Sequence, residues 1–190
     1  MSVNLQPIIP GQFFHIYNRA VGNDLLFERD TDYVHWIELL KKYLLPVSEI
    51  HSYCMLPNHY HLIVKVHETI EATFFSRQMA NAGNGYSKWK NLTSGRRGGL
   101  FMTPFKRKHL ADNNYLTWCL WYIHRNPLHH GVTKEWQLWR YSSFAVYNSD
   151  KPGLITKEFF IDLFGSRELL LKYHFMQSGD DDMINRISIE

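Results

Sequence analysis

Two histidines stand two positions apart in Leu56-Pro57-Asn58-His59-Tyr60-His61-Leu62-Ile63-Val64. Side chains along a strand alternate faces, so in an extended segment His59 and His61 point the same way. Tyr60, Leu62, Val64 and Val66 then form the opposite, apolar face. Two neighbouring imidazoles are half of a divalent metal site. The pair alone carries little weight: with 11 His in 190 residues, about 0.6 such spacings arise by chance. The competing reading is two half-exposed histidines on the open face of a strand.

A second constellation is Trp121-Tyr122-Ile123-His124-Arg125-Asn126-Pro127. It ends an apolar run from Tyr115 to Ile123 that opens behind Asp112-Asn113-Asn114. This pattern predicts an N-cap, a helix, and a stop near Pro127. Tyr122 and Asn126 are four apart, one helical turn from each other on one face. A phenol and an amide placed so could serve as nucleophile and oxygen ligand. The competing reading is a core tyrosine beside a helix-terminal asparagine. Tyr115 is a poorer nucleophile candidate, because it would lie about 16 Å along the axis from Asn126.

Taken together, the motifs resemble those of the REP-associated tyrosine transposases, relatives of the single-tyrosine insertion-sequence transposases within the HUH nuclease group. The resemblance rests on Phe14-His15-Ile16-Tyr17-Asn18-Arg19, Leu56-Pro57-Asn58-His59-Tyr60-His61, Gly99-Leu100-Phe101 through Phe105-Lys106-Arg107, Tyr122-Ile123-His124-Arg125-Asn126-Pro127, and Tyr141-Ser142-Ser143 followed by Tyr147. It extends over roughly residues 10 to 150, and the tail from Leu154 to Tyr173 looks like the accessory helices of the group.

The resemblance implies a transposase: a site-specific nuclease and strand transferase acting on single-stranded DNA with hairpin structure. It maps metal ligation to His59, His61 and Asn126, and nucleophilic attack to Tyr122. The insertion-sequence relatives usually carry Gln where Asn126 stands. Asn is one methylene shorter, so the helix must sit closer to the metal. The expected product is a 5′-phosphotyrosine link with a free 3′-hydroxyl, which conserves bond energy and so permits rejoining. The implied cofactor is a divalent cation, Mg²⁺ or Mn²⁺, although nitrogen ligands favour the later metals. A monomer and a homodimer both occur among such proteins.

The chemistry is physically coherent. A phosphodiester repels nucleophiles through its negative oxygens, and a cation offsets that charge. A phenol, with an ordinary pKa of about 10, needs a favourable field to attack near neutrality.

The elements that must position these groups follow from periodicity and punctuation. Gln12 to Arg19 predicts a first strand. Asp30-Thr31-Asp32 precedes a helix with Val34, Ile37, Leu40, Leu44 and Leu45 at helical spacing. Glu49 to Leu56 predicts a second strand, and Asn58 a tight turn into the third. A second helix is expected from Thr69 to about Leu92, a basic Gly-rich loop over Ser94 to Gly99, and a fourth strand from Leu100 to Lys108. This order is the split βαβ plan of a ferredoxin-like α+β fold with one antiparallel sheet. The Tyr122 helix is added to that plan, and two short helices broken near Gly165-Ser166 follow as an appendage. The division expected is a nuclease domain over 1–150 and an appendage with tail over 151–190. The last residues, with Asp180-Asp181-Asp182, read as a solvated tail.

The formal charge is only +3. Its distribution is more telling: Arg96-Arg97 in the Gly-flanked loop, Lys106-Arg107-Lys108 at the end of the fourth strand, and Arg19 and Arg125 beside the motifs. Such clusters suit phosphate neutralisation, and Trp and Tyr could stack unpaired bases. Ordinary solvated surface is the alternative for each cluster. No apolar run of membrane length and no leader peptide are read. Cys54 and Cys119 sit in apolar contexts as free thiols, which fits a cytoplasmic setting. Two further functions stay open on the residues alone: a non-catalytic DNA-binding regulator, and a metal-dependent phosphoesterase using water.

Overall fold

The computed structural model describes residues 6–150 and 153–176. The strands are β1 (Phe13–Arg19), β2 (Ser48–Leu56), β3 (His59–Val66) and β4 (Lys106–His109). They form one antiparallel sheet in the order β2-β3-β1-β4. Helices α1 (Asp30–Tyr43) and α2 (Ala72–Ser94) complete the βαββαβ plan. The segment carrying Tyr122 forms α3 (Asn113–His129), and α4 (Phe144–Tyr147), α5 (Glu158–Phe164) and α6 (Arg167–Met176) follow. The architecture is α+β, as the residue patterns predict. The acidic run Asp180–Asp182 lies outside the described residues.

Register decides which residues share a face. His59 pairs with Arg19, His61 with Tyr17 and Ile63 with His15. On β4, Lys106 pairs with Tyr17 and Lys108 with His15. One sheet face therefore carries His15, Tyr17, Arg19, His59, His61, Lys106 and Lys108. The other carries Phe14, Ile16, Tyr60, Leu62 and Val64, buried beneath α1 and α2. Trp36 of α1 meets Tyr60 with ring centroids 5.0 Å apart. Burying such aromatic and aliphatic surface is the main driving force for this half of the fold.

Three elements differ from the pattern-based expectation. The buried stripe of α1 runs through Tyr33, Trp36 and Leu40, while Val34 is 56% exposed. The aromatic side chains set the rotation of that helix, because they bury more apolar area than Val34 could. Strand β4 begins at Lys106 rather than Leu100. Phe101 makes only an isolated bridge to Ala20, and Pro104 has no N–H to extend a ladder. Helix α3 passes through Pro127 to His129. Its end is held by the amides of Val132 and Thr133, which donate to the Pro127 carbonyl at 2.8 and 3.1 Å.

The C-terminal helices share the core. Leu154, Ile155, Phe160 and Leu170 belong to the same buried cluster as the sheet. Phe159 packs on Phe13 of β1 with centroids 4.7 Å apart. A buried chain of hydrogen bonds also ties α6 to α3. The His174 Nδ1–H donates to the Leu170 carbonyl at 2.9 Å. Its Nε2 then accepts from His124 Nδ1 at 2.8 Å, and His124 Nε2 accepts from Ser143 Oγ at 2.8 Å. With the protons so placed, both rings are neutral.

Acid should therefore unfold the protein. Burial pushes His174 down to about 4 and His124 well below its ordinary value, with the charge of His174 adding to the shift in His124. Between pH 6.5 and the folded-state value, the unfolded chain binds protons that the folded chain refuses. Stability is full above pH 6.5 and falls as the pH drops below it. At pH 5 His174 contributes a loss of about 2 kcal/mol, and His124 adds a loss of the same sign. Thermal melts at pH 7 and pH 5 should show a marked drop, and the drop should shrink in His174→Phe. A pH-independent melting temperature would remove this account of the network.

Candidate active site

The alternation of β3 aims His59 and His61 at the face covered by α3. Both are buried, with 6% and 0% exposure, so the half-exposed reading does not hold. The rings are 5.2 Å apart at 81°. Tyr122 of α3 stands over them, its ring 5.8 Å from that of His61 and nearly perpendicular to it, in the same chain. The Tyr122 ring is 2% exposed. Trp118 and His129 both stack with it, at centroid distances of 5.8 and 5.7 Å. The phenol is thus a core residue and a neighbour of the histidines at once.

Each histidine is oriented by a partner on its Nδ1. His59 Nδ1 donates to Asn58 Oδ1 at 2.7 Å. His61 Nδ1 faces His15 Nε2 at 2.8 Å. These contacts leave both Nε2 atoms, and with Nδ1 protonated those atoms carry the lone pairs. His59 Nε2 and His61 Nε2 are buried and have no hydrogen-bond partner among the described residues. Asn126 Oδ1 is buried in the same state, while Asn126 Nδ2 donates to the Tyr122 carbonyl at 2.9 Å. Buried polar atoms rarely go unpaired. Three of them, two imidazole nitrogens and one amide oxygen, form a donor set that suits a divalent cation.

Electrostatics keep these rings neutral. Burial pushes His59 down to about 3, with His130 and Arg19 adding to the effect. The Asn126 amide stands close enough to oppose that shift without reaching hydrogen-bond geometry. His61 is held well below its ordinary value by burial first, then by His15, His59 and His130. Burial and Lys108 bring His15 down to about 3. Neutral imidazoles are the form that binds metals, so no proton must be displaced near neutral pH.

Two contributors were not singled out from sequence as site residues. His15 sits on β1 at alternating spacing with Tyr17 and Arg19, which is a visible but weak sign of a shared face. His130 is the other. Its nitrogens and those of His59 and His61 lie mutually within 4.8 Å, and it is exposed. Tyr122, Asn126 and His130 fall at i, i+4 and i+8, a single stripe of α3 that the assumed stop at Pro127 conceals.

The basic residues divide. Arg19, Lys106 and Lys108 edge the histidine face. Arg107 points to the other side, where it lines a cavity of about 620 Å³ with Asn18, Tyr60, Phe101 and Phe105. Arg97 is exposed on the loop after α2. Arg96 is engaged internally: it pairs with Asp24 and donates to Asn91 Oδ1 at 2.9 Å. Arg125 does not flank the histidines. Its guanidinium lies 5.2 Å from the ring centroids of both Trp121 and Trp136, and it donates to the His174 carbonyl at 3.3 Å. Its position one residue before Asn126 turns it toward α6.

Among known proteins, a solved structure described as the REP-associated tyrosine transposase bound to a REP hairpin shares this fold. The match has a TM-score of 0.67 at 20% identity and covers 83% of this chain and 94% of that one. No family model and no curated protein matches the sequence. This chain thus shares the fold of that structure. No helix among the described residues is long and apolar enough to cross a membrane.

Proposed function

We propose that this protein is a DNA transposase of the tyrosine type, a nuclease and strand transferase for single-stranded, hairpin-bearing DNA. The observation that carries this reading is the convergence of Tyr122 with His59 Nε2, His61 Nε2 and Asn126 Oδ1, three buried ligand atoms with no hydrogen-bond partner among the described residues. The shared fold supports it, since the neighbouring structure is a transposase bound to a hairpin.

His59, His61 and Asn126 would hold the cation, Mg²⁺ or Mn²⁺. When bound, it would offset phosphate charge and lower the barrier to attack. The chain's own residues do the rest. Arg19, Lys106 and Lys108 draw the backbone onto the histidine face. Asn58 and His15 hold the imidazoles in the ligating tautomer. Trp118 and His129 fix the plane of the Tyr122 ring. The Tyr122 oxygen attacks phosphorus, the bond from phosphorus to the 3′ oxygen breaks, and the phenolic proton is balanced by protonation of that oxygen. The phosphate remains on the 5′ side, joined to Tyr122. A 3′-hydroxyl can then reverse the step, joining strands without an external energy source. Because both parts of the site lie in one chain, a monomer suffices to assemble it.

The test is a covalent-adduct assay with a labelled hairpin oligonucleotide and Mn²⁺. A shifted band on a denaturing gel is expected, and it should vanish with EDTA or with His59→Ala. Tight binding without any adduct, across varied hairpins, would move the reading to a non-catalytic regulator.

A further inference from the structure

We infer that His130 is a third imidazole donor to the cation, so that this chain offers His59, His61, His130 and Asn126 and binds Mn²⁺, Co²⁺ or Zn²⁺ in preference to Mg²⁺. The inference rests on the metal-site reading above for His59 and His61, and extends it at His130.

Geometry carries the argument. Nitrogens of His59, His61 and His130 all lie within 4.8 Å of one another. The His130 ring centroid is 4.4 Å from that of His59. Imidazole nitrogens sharing one ion sit about 2.1 Å from it, and so roughly 3.4 Å apart in a tetrahedral shell. The gap left to close is at most about 1.4 Å. His59 and His61 are buried and held through their Nδ1 atoms, and His130 stands at the exposed edge of the cluster.

The backbone holds His130 there for a local reason. It is the C-cap of α3, and its amide donates to the carbonyls of Asn126 and Leu128. That extra turn exists only because α3 continues past Pro127. Tyr122, Asn126 and His130 are thereby presented in one row to β3. His59 Nε2 and His61 Nε2, buried with no hydrogen-bond partner among the described residues, point independently to a ligand at this spot.

The chemical consequence concerns metal choice. Mg²⁺ prefers an all-oxygen octahedral shell and sheds its waters reluctantly. Three imidazoles with one amide oxygen suit the later first-row ions, whose affinities rise along that series. His130, on the solvent side, would contribute its donor while leaving the shell open for a phosphate oxygen.

The full chain, stripped with EDTA, would be titrated with Co²⁺, Mn²⁺ and Mg²⁺ by calorimetry, in wild type, His130→Ala and His59→Ala. Wild type should bind Co²⁺ and Mn²⁺ more tightly than Mg²⁺. His130→Ala should lose at least tenfold in Co²⁺ affinity with little change for Mg²⁺. As a variant-free measurement, Co²⁺ should shift the imidazole resonances of His59, His61 and His130 together in ¹⁵N NMR of the wild type. Unchanged Co²⁺ affinity in His130→Ala, or an unshifted His130 resonance while His59 shifts, would overturn the role of His130 and leave the two-histidine site standing. Unchanged Co²⁺ affinity in His59→Ala would overturn the metal site itself, and this inference with it.

Discussion

Tyr122→Phe is expected to abolish the covalent protein–DNA adduct and to lower strand cleavage by at least about 10³-fold, the order seen when a covalent nucleophile is removed. The substitution deletes one oxygen and keeps the ring. That ring stacks with Trp118 and His129 and stands edge-on to His61, so the packing of α3 on the sheet should persist. Loss of one hydroxyl costs about 1 kcal/mol of stability, an order of magnitude that leaves the fold intact. Binding of hairpin DNA and of metal should therefore be retained while cleavage disappears. This separation is the diagnostic outcome. Cleavage that survives in Tyr122→Phe would mean that water is the nucleophile and would point to a phosphoesterase. Loss of folding together with cleavage would indicate that the tyrosine serves only the core.

The second large effect concerns stability. Asp32→Ala should destabilise the protein by about 3–5 kcal/mol, as expected when one partner of a buried ion pair is removed. Asp32 and Lys90 have 0% and 1% exposure, and Lys90 Nζ lies 2.7 Å from Asp32 Oδ2. The same carboxylate accepts from the amides of Glu28 and Arg29 at 2.9 and 3.1 Å. It thus caps the start of α1 and anchors α1 to α2 in one stroke. Lys90 and those backbone hydrogen bonds hold the Asp32 carboxyl below its ordinary range, against the opposing effect of burial. With alanine there, the Lys90 ammonium would keep only Glu28, whose side chain is 52% exposed, at 2.7 Å. For a chain of this size the melting temperature should fall by roughly 10 °C. In Asp32→Ala/Lys90→Met the stranded charge is gone, so the double variant should be more stable than Asp32→Ala alone. Additive losses in that cycle would show that the pair contributes nothing beyond its separate contacts.

The pieces legible in sequence are those that depend on near neighbours. Alternation along β3 is enough to put His59 and His61 on one face, because the period of a strand is two. Helical spacing is enough to align Tyr122 with Asn126. Asp112 is recognisable as an N-cap, and its side chain accepts from the Tyr115 amide at 2.8 Å. The alternation of helices and strands is enough for the ferredoxin-like plan, since few topologies accommodate that order.

Other features required the tertiary structure. Local preference before a proline argues for a stop near Pro127, yet packing of α3 against the sheet outweighs it and adds the turn that carries His129 and His130. Arg125 and Arg19 look equivalent as charges near the motifs. Only the fold turns one toward Trp121 and Trp136 and keeps the other at the rim of the histidine face. Arg96 reads as a phosphate ligand until its pairing with Asp24, 72 residues away, is seen. His15 acquires its place only when β1 pairs with β3, because strand register is set by the long-range burial of two faces. The sequence by itself determined which residue types share a face within each element. The tertiary structure alone decided which faces meet, since those contacts are made by side chains distant in the chain and are selected by burial rather than by local propensity.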